Sequence, residues 1–201
     1  MGDRRSEINS FAGTVWALFD LAESERALTA AEEARAVVRR LGAFRYDPLF
    51  LMTIGRSLHR LGDRRAGLKR LREAVSAAEA SAPPFHGPEC HAALAEATDD
   101  ARQRSDSLER CSALIAARCV GHGPLRARPI CARVALAIDD DAQARAHLDA
   151  LSNLAQADTI IPARIRADIG RAALECASTA RRAALRDEAR SYGLADCIGG
   201  F

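Results

Sequence analysis

Between Leu49 and Ala80 the chain reads LFLMTIGRSLHRLGDRRAGLKRLREAVSAAEA, and this stretch constrains the fold more than any other. Small residues stand at Gly55, Gly62, Gly67 and Ala74. Bulky apolar residues stand beside them at Leu51, Ile54, Leu58, Leu61, Leu68 and Leu71. Two helices that cross closely need small side chains at the crossing and large ones around it. Gly62-Asp63 supplies the turn between them. The pattern predicts a helical hairpin, Asp47 to Leu61 and Arg64 to Ala80. One hairpin cannot bury its apolar face alone, so others should stack on it.

Four more helix pairs follow from the periodicity: Glu7–Ala22 with Glu25–Leu41, Pro88–Arg104 with Ser107–Val120, Leu125–Ile138 with Ala142–Ala157, and Ile161–Ala177 with Thr179–Tyr192. Val15, Leu18, Phe19 and Ala22 show the helical spacing, as do Leu148, Leu151 and Leu154. With only two Tyr, one Trp and six Phe, the chain is poor in the rings that favour sheet or a nucleobase-stacking surface. Asp47-Pro48 opens a helix, and Asp139-Asp140-Asp141 can cap another. Ser81 to Pro88, SAPPFHGP, is the strongest breaker and a candidate joint; Gly121-His-Gly-Pro124 is the next. The expectation is one all-α domain over residues 1–201, a stack of about five antiparallel hairpins.

The 49–80 hairpin resembles the tetratricopeptide repeat, a helix-turn-helix unit that stacks into a right-handed superhelix. Leu51, Ile54, Gly55 and Leu58 match its first helix, and Leu71 and Ala74 its second. Gly67 stands where Ala is usual, and Glu79 where Pro closes the repeat. The first pair matches through Phe11, Val15, Ala27 and Ala34, the fourth through Ala132, Ala135, Ala144 and Leu148. In the third and fifth, Arg110 and Arg182 fall where a small residue belongs. The segment is also similar to helical-repeat sensor regions of large bacterial regulators and signalling kinases. The resemblance implies a non-catalytic, regulatory, protein-binding module.

It also implies that first helices line a concave face. There the chain would place Trp16 and Phe19, then Met52, Arg56, His59 and Arg60, then Arg126 and Arg133, then Arg164 and Arg171. Guanidinium groups grip carboxylates with paired hydrogen bonds, and the rings would add an apolar anchor. The implied partner is a protein or peptide, acidic in character. An arginine-rich chain with a solvated basic face would carry the same residues, with Trp16 and Phe19 in the core. A small molecule in the same trough is the alternative reading.

A second constellation joins His86, Cys90 and His91 to Cys119 and His122. The first group precedes the expected third hairpin and the second ends it; in an antiparallel hairpin those ends are neighbours, where four N/S ligands could hold zinc. Packed thiols and loop histidines explain the same residues more simply. The six cysteines, at 90, 111, 119, 131, 176 and 197, suit free thiols in a reducing cytoplasm. No nucleophile elbow or phosphate loop appears, and no cofactor is expected. The net charge of +2, with acidic residues interleaved, gives no reason to expect nucleic acid. No run is long enough to span a membrane.

Overall fold

A computed structural model describes residues 4–81, 83–117, 122–158, 160–176 and 178–197. Ten α-helices follow in order: α1 Arg4–Asp20, α2 Ser24–Leu41, α3 Asp47–Arg60, α4 Arg64–Ser81, α5 Pro83–Ala97, α6 Ala101–Ala116, α7 Gly123–Ala137, α8 Asp141–Asp158, α9 Ile161–Leu174 and α10 Thr179–Ser191. Single 3-10 turns stand at Phe44–Tyr46 and Ala195–Cys197. There is no strand among the described residues, and helices adjacent in the chain pack on each other as in a stack of hairpins, α1 to α6 in one part and α8 to α10 in the other. The chain forms two compact units, Met1–Gly123 and Pro124–Phe201.

In the first unit α3 packs against both α1 and α2, and α5 against both α3 and α4. First helices therefore adjoin one another as well as their own partners. The core runs through Val15, Ala31, Ala34, Val38, Leu49, Phe50, Ile54, Leu71, Ala74, Cys90 and Leu94, all buried. The α3–α4 crossing falls at Gly55 and Gly67, as the small-residue pattern predicts. A Cβ added at Gly67 would stand 2.7 Å from the Gly55 carbonyl oxygen and 2.8 Å from the His59 nitrogen. In the second unit Leu151, Ala155, Ala163 and Ala167 form one cluster under Leu125. Ile165, Ile169, Ala172, Leu185, Ala189 and Leu194 form another.

Three expectations need correction. The SAPPFHGP segment does separate the second and third hairpins, α4 ending at Ser81, but the third hairpin starts earlier than expected: α5 begins at Pro83, and Pro88 lies inside it. A helix leaves its first amides unbonded, so Pro83 and Pro84 cost nothing there. Pro88 forfeits one helical hydrogen bond but is fully buried. The joint proposed at 81–88 thus falls within a helical part of the first unit. Third, the turn of the third hairpin lies at 98–100, not between Arg104 and Ser107. Asp100 caps α6 there, its Oδ1 accepting from the Arg102 and Gln103 amides at 2.9 and 3.1 Å. The other hairpins start and stop within a few residues of expectation.

Four hairpin turns share one device. Ala22, Gly62, Asp139 and Cys176 each adopt positive φ, at 60°, 97°, 57° and 48°. At two of them the amide beyond reaches back five residues, Glu23 to Leu18 and Asp140 to Ala135, at 3.0 and 2.9 Å. This left-handed cap ends the helix and satisfies its last carbonyls.

Candidate functional site

Phe19 closes the last turn of α1 and is buried. Two guanidinium groups from α3 lie over its ring: the Arg56 carbon at 4.2 Å from the centroid and the Arg60 carbon at 3.8 Å. Arg56 and Arg60 are four residues apart, so one face of α3 presents both. Stacking orients each planar cation without consuming its N–H donors. Arg60 Nη1 donates to the Phe19 carbonyl at 3.4 Å, at the negative end of the α1 dipole. Arg56 Nη2 donates to Glu96 of α5 at 3.2 Å. One cluster therefore ties together α1, α3 and α5, the first helices of three successive hairpins.

The remaining groove candidates separate from it. Met52 is core, 4% exposed. Trp16 is half-buried against the same core, with the His122 ring edge-on at a centroid distance of 5.5 Å. His59 sets its backbone nitrogen and Cβ against Gly67 at the α3–α4 crossing. In the second unit Arg126 and Arg133 are half-buried on α7 and neither is free. Arg164 bonds Asp168 at 3.0 Å and also Glu188 of α10. Arg171 bonds Asp149 of α8 at 2.9 Å. These two arginines staple α9 to its neighbours. Arg164 and Arg171 thus spend their charge on the chain's own carboxylates.

The zinc constellation disperses. His86 packs edge-on to Phe85 at 4.5 Å and tilted to Tyr46 at 6.2 Å, and neither ring nitrogen finds a hydrogen-bond partner. Burial, seconded by Arg45, pushes its pKa down to about 4. The Cys90 thiol points at the Pro48 carbonyl oxygen, 3.7 Å away. Burial raises the pKa of that thiol, the reverse of what a nucleophile or a metal ligand needs. His91 turns to Glu79 of α4, its Nε2 2.9 Å from Oε1. His122 lies against Trp16, and Cys119 falls outside the described residues. No three His, Cys, Asp or Glu side chains are grouped to hold one ion among the described residues.

Glu79 and Glu96 are the residues that the sequence reading missed. Glu79 receives Arg110 of α6 through two hydrogen bonds of 2.8 Å as well as His91. The Arg110 hydrogen bond, then that of His91, holds its carboxyl down at about 2 against the opposing effect of burial. Both glutamates pair with residues at least a helix away, and no local spacing announces such pairs. A correct third turn would have put Glu96 at the last turn of α5, within reach of α3. No helix of the described residues is long and apolar enough to cross a membrane. Comparison of the chain with protein-family models, with curated proteins and with solved structures gives no match.

Proposed function

We propose that the chain is a non-catalytic helical-repeat scaffold that binds a protein or peptide partner along the first-helix face of its Met1–Gly123 unit. The observation that carries this reading is the Phe19–Arg56–Glu96 cluster, which makes α1, α3 and α5 one continuous face. Arg60 is exposed at its rim and Trp16 stands one turn before Phe19. Aromatic and arginine side chains side by side are the usual composition of an interface anchor. Acidic segments are the matching partners, since a partner carboxylate can replace Glu96 on Arg56 without leaving a buried charge alone. The tetratricopeptide resemblance supports the same reading.

The test is a displayed random-peptide library panned on the full chain. Sequences rich in Asp and Glu should be enriched, and Arg60→Glu should weaken them by about tenfold or more. Trp16, the only tryptophan, reports binding by its fluorescence. A library that yields no saturable binder overturns the scaffold reading.

A further inference from the structure

On the second-helix side of the Met1–Gly123 unit, α2 and α4 are in register. Each is 18 residues long. Ala27, Ala31, Ala34 and Val38 of α2 are buried, and Gly67, Leu71, Ala74 and Ala78 are buried at the same places in α4. Helices joined by short turns run antiparallel, so these two, with α3 between them in the chain, run in the same direction. Away from the core they carry opposite charges. Glu25, Thr29 and Glu32 of α2 are exposed, and Arg65, Lys69 and Arg72 of α4 are exposed at the same places. Each triplet has the spacing i, i+4, i+7, which draws one stripe about 10 Å long down the helix.

The other charges of these helices are matched nearby: Arg26 with Glu23, Arg70 with Glu73, and Arg35 with Asp47. The stripes are not. Among the described residues no carboxylate lies within ion-pair distance of Arg65, Lys69 or Arg72, and no cation lies within that distance of Glu25 or Glu32. Arg72 donates to the uncharged Gln103 Oε1, at 3.0 Å. Lys69 acts on Glu73 without pairing with it, and Glu73 is already held by Arg70. Two stripes of opposite sign, parallel and in register, form a face complementary to itself. A two-fold axis parallel to the helices and midway between them lays α2 of one copy on α4 of the other at the same height. Glu25 then meets Arg65 of the partner subunit, Glu32 meets the partner's Arg72, and each contact occurs twice. An axis across the helices would set α2 on α2 and α4 on α4, with like charges opposed.

We propose that the chain pairs with a second copy of itself through the α2–α4 face, as a two-fold dimer held by the Glu25 and Glu32 stripe of each copy on the Arg65, Lys69 and Arg72 stripe of the other. The face is separate from the first-helix groove, and Phe19, Arg56 and Arg60 take no part in it. Exposed ion pairs are individually weak and screened by salt, so the dimer is weak and salt-sensitive. Sedimentation velocity of the full chain at about 0.03 M and about 0.5 M salt is the test. At low salt a monomer–dimer equilibrium should appear, and its dissociation constant should rise at least about tenfold at high salt. Glu25→Arg with Glu32→Arg should abolish pairing, and so should Arg65→Glu with Arg72→Glu. All four positions are exposed, so the fold should survive in both variants, as circular dichroism would check. Mixed together, the two variants should pair again, because each stripe of one then faces its opposite on the other. That rescue separates the charge match from any general effect of the substitutions. A wild-type chain that stays monomeric at low salt and millimolar concentration overturns the proposal. So does wild-type pairing in either variant alone, or a mixture that stays monomeric.

Discussion

Gly67 lacks a side chain because two backbones occupy the space. Its neighbours at 2.7 and 2.8 Å are a carbonyl oxygen and a main-chain nitrogen, which cannot rotate away. Gly67→Ala should therefore destabilise the chain by about 1–3 kcal/mol through overpacking, measured by urea unfolding. Gly87 differs: its added Cβ would meet the tip of the Leu114 side chain at 2.8 Å, which can yield. There the loss should be smaller, offset by the gain in helix propensity. Gly13, inside α1, has nothing within 4 Å. Gly13→Ala should stabilise by roughly 0.5–1 kcal/mol. If Gly67→Ala and Gly13→Ala shift the midpoint in the same direction, the packing account of Gly67 is wrong. Gly55, on α3, marks the same crossing from the other helix, where an added Cβ would stand 3.0 Å from the Gly67 carbonyl oxygen.

At the scale of the element, the left-handed turn residues carry a testable cost. Ala22 holds φ at 60° where Gly62 holds 97° in the equivalent turn. A Cβ in this region costs about 1–2 kcal/mol, partly returned by the lower unfolded-state entropy of Ala. Ala22→Gly should raise stability by about 0.5–1 kcal/mol, and Gly62→Ala should lower it by about 1 kcal/mol. Thermal melts of the two variants that move together would remove the shared-cap account. The same comparison explains how far the sequence can be read. The hairpin ended by Gly62 was legible because glycine advertises a left-handed residue. The third turn, Thr98-Asp99-Asp100, has no left-handed residue among its described positions and ends on a side-chain cap. Its signal was weaker than that of the nearby prolines, which suggested a loop where α5 runs. The site was legible to the extent that one face carried it. Phe19, Arg56 and Arg60 converge, whereas Met52 is drawn inward by the core. Arg164 and Arg171 are claimed by carboxylates on neighbouring helices.

For the molecule as a whole, histidines buried in the neutral form, His91 among them, set the response to acid. His86 in the first unit and His147 in the second both have pKa values pushed down to about 4. Burial is the main cause in each, followed by a nearby arginine, Arg45 for His86 and Arg128 for His147. In the unfolded chain both would titrate near 6.5. Between the two values the unfolded state binds protons that the folded state refuses, so stability is complete above 6.5 and falls as pH drops towards 4. For His86, 4% exposed, the loss is on the order of 3 kcal/mol. Glu79 acts in a lower window. Its depressed pKa of about 2 adds stability that is present above the ordinary carboxyl range and is lost as pH falls from about 4.5 to about 2. The two windows separate the contributions. The urea midpoint should decline from pH 7 to pH 4.5 in the wild type, and His86→Phe and His147→Leu should each flatten part of that decline. Glu79→Gln should flatten the fall below this range. A decline between pH 7 and 4.5 that is as steep in the His86→Phe, His147→Leu double variant as in the wild type would mean that neither imidazole is held neutral by its surroundings.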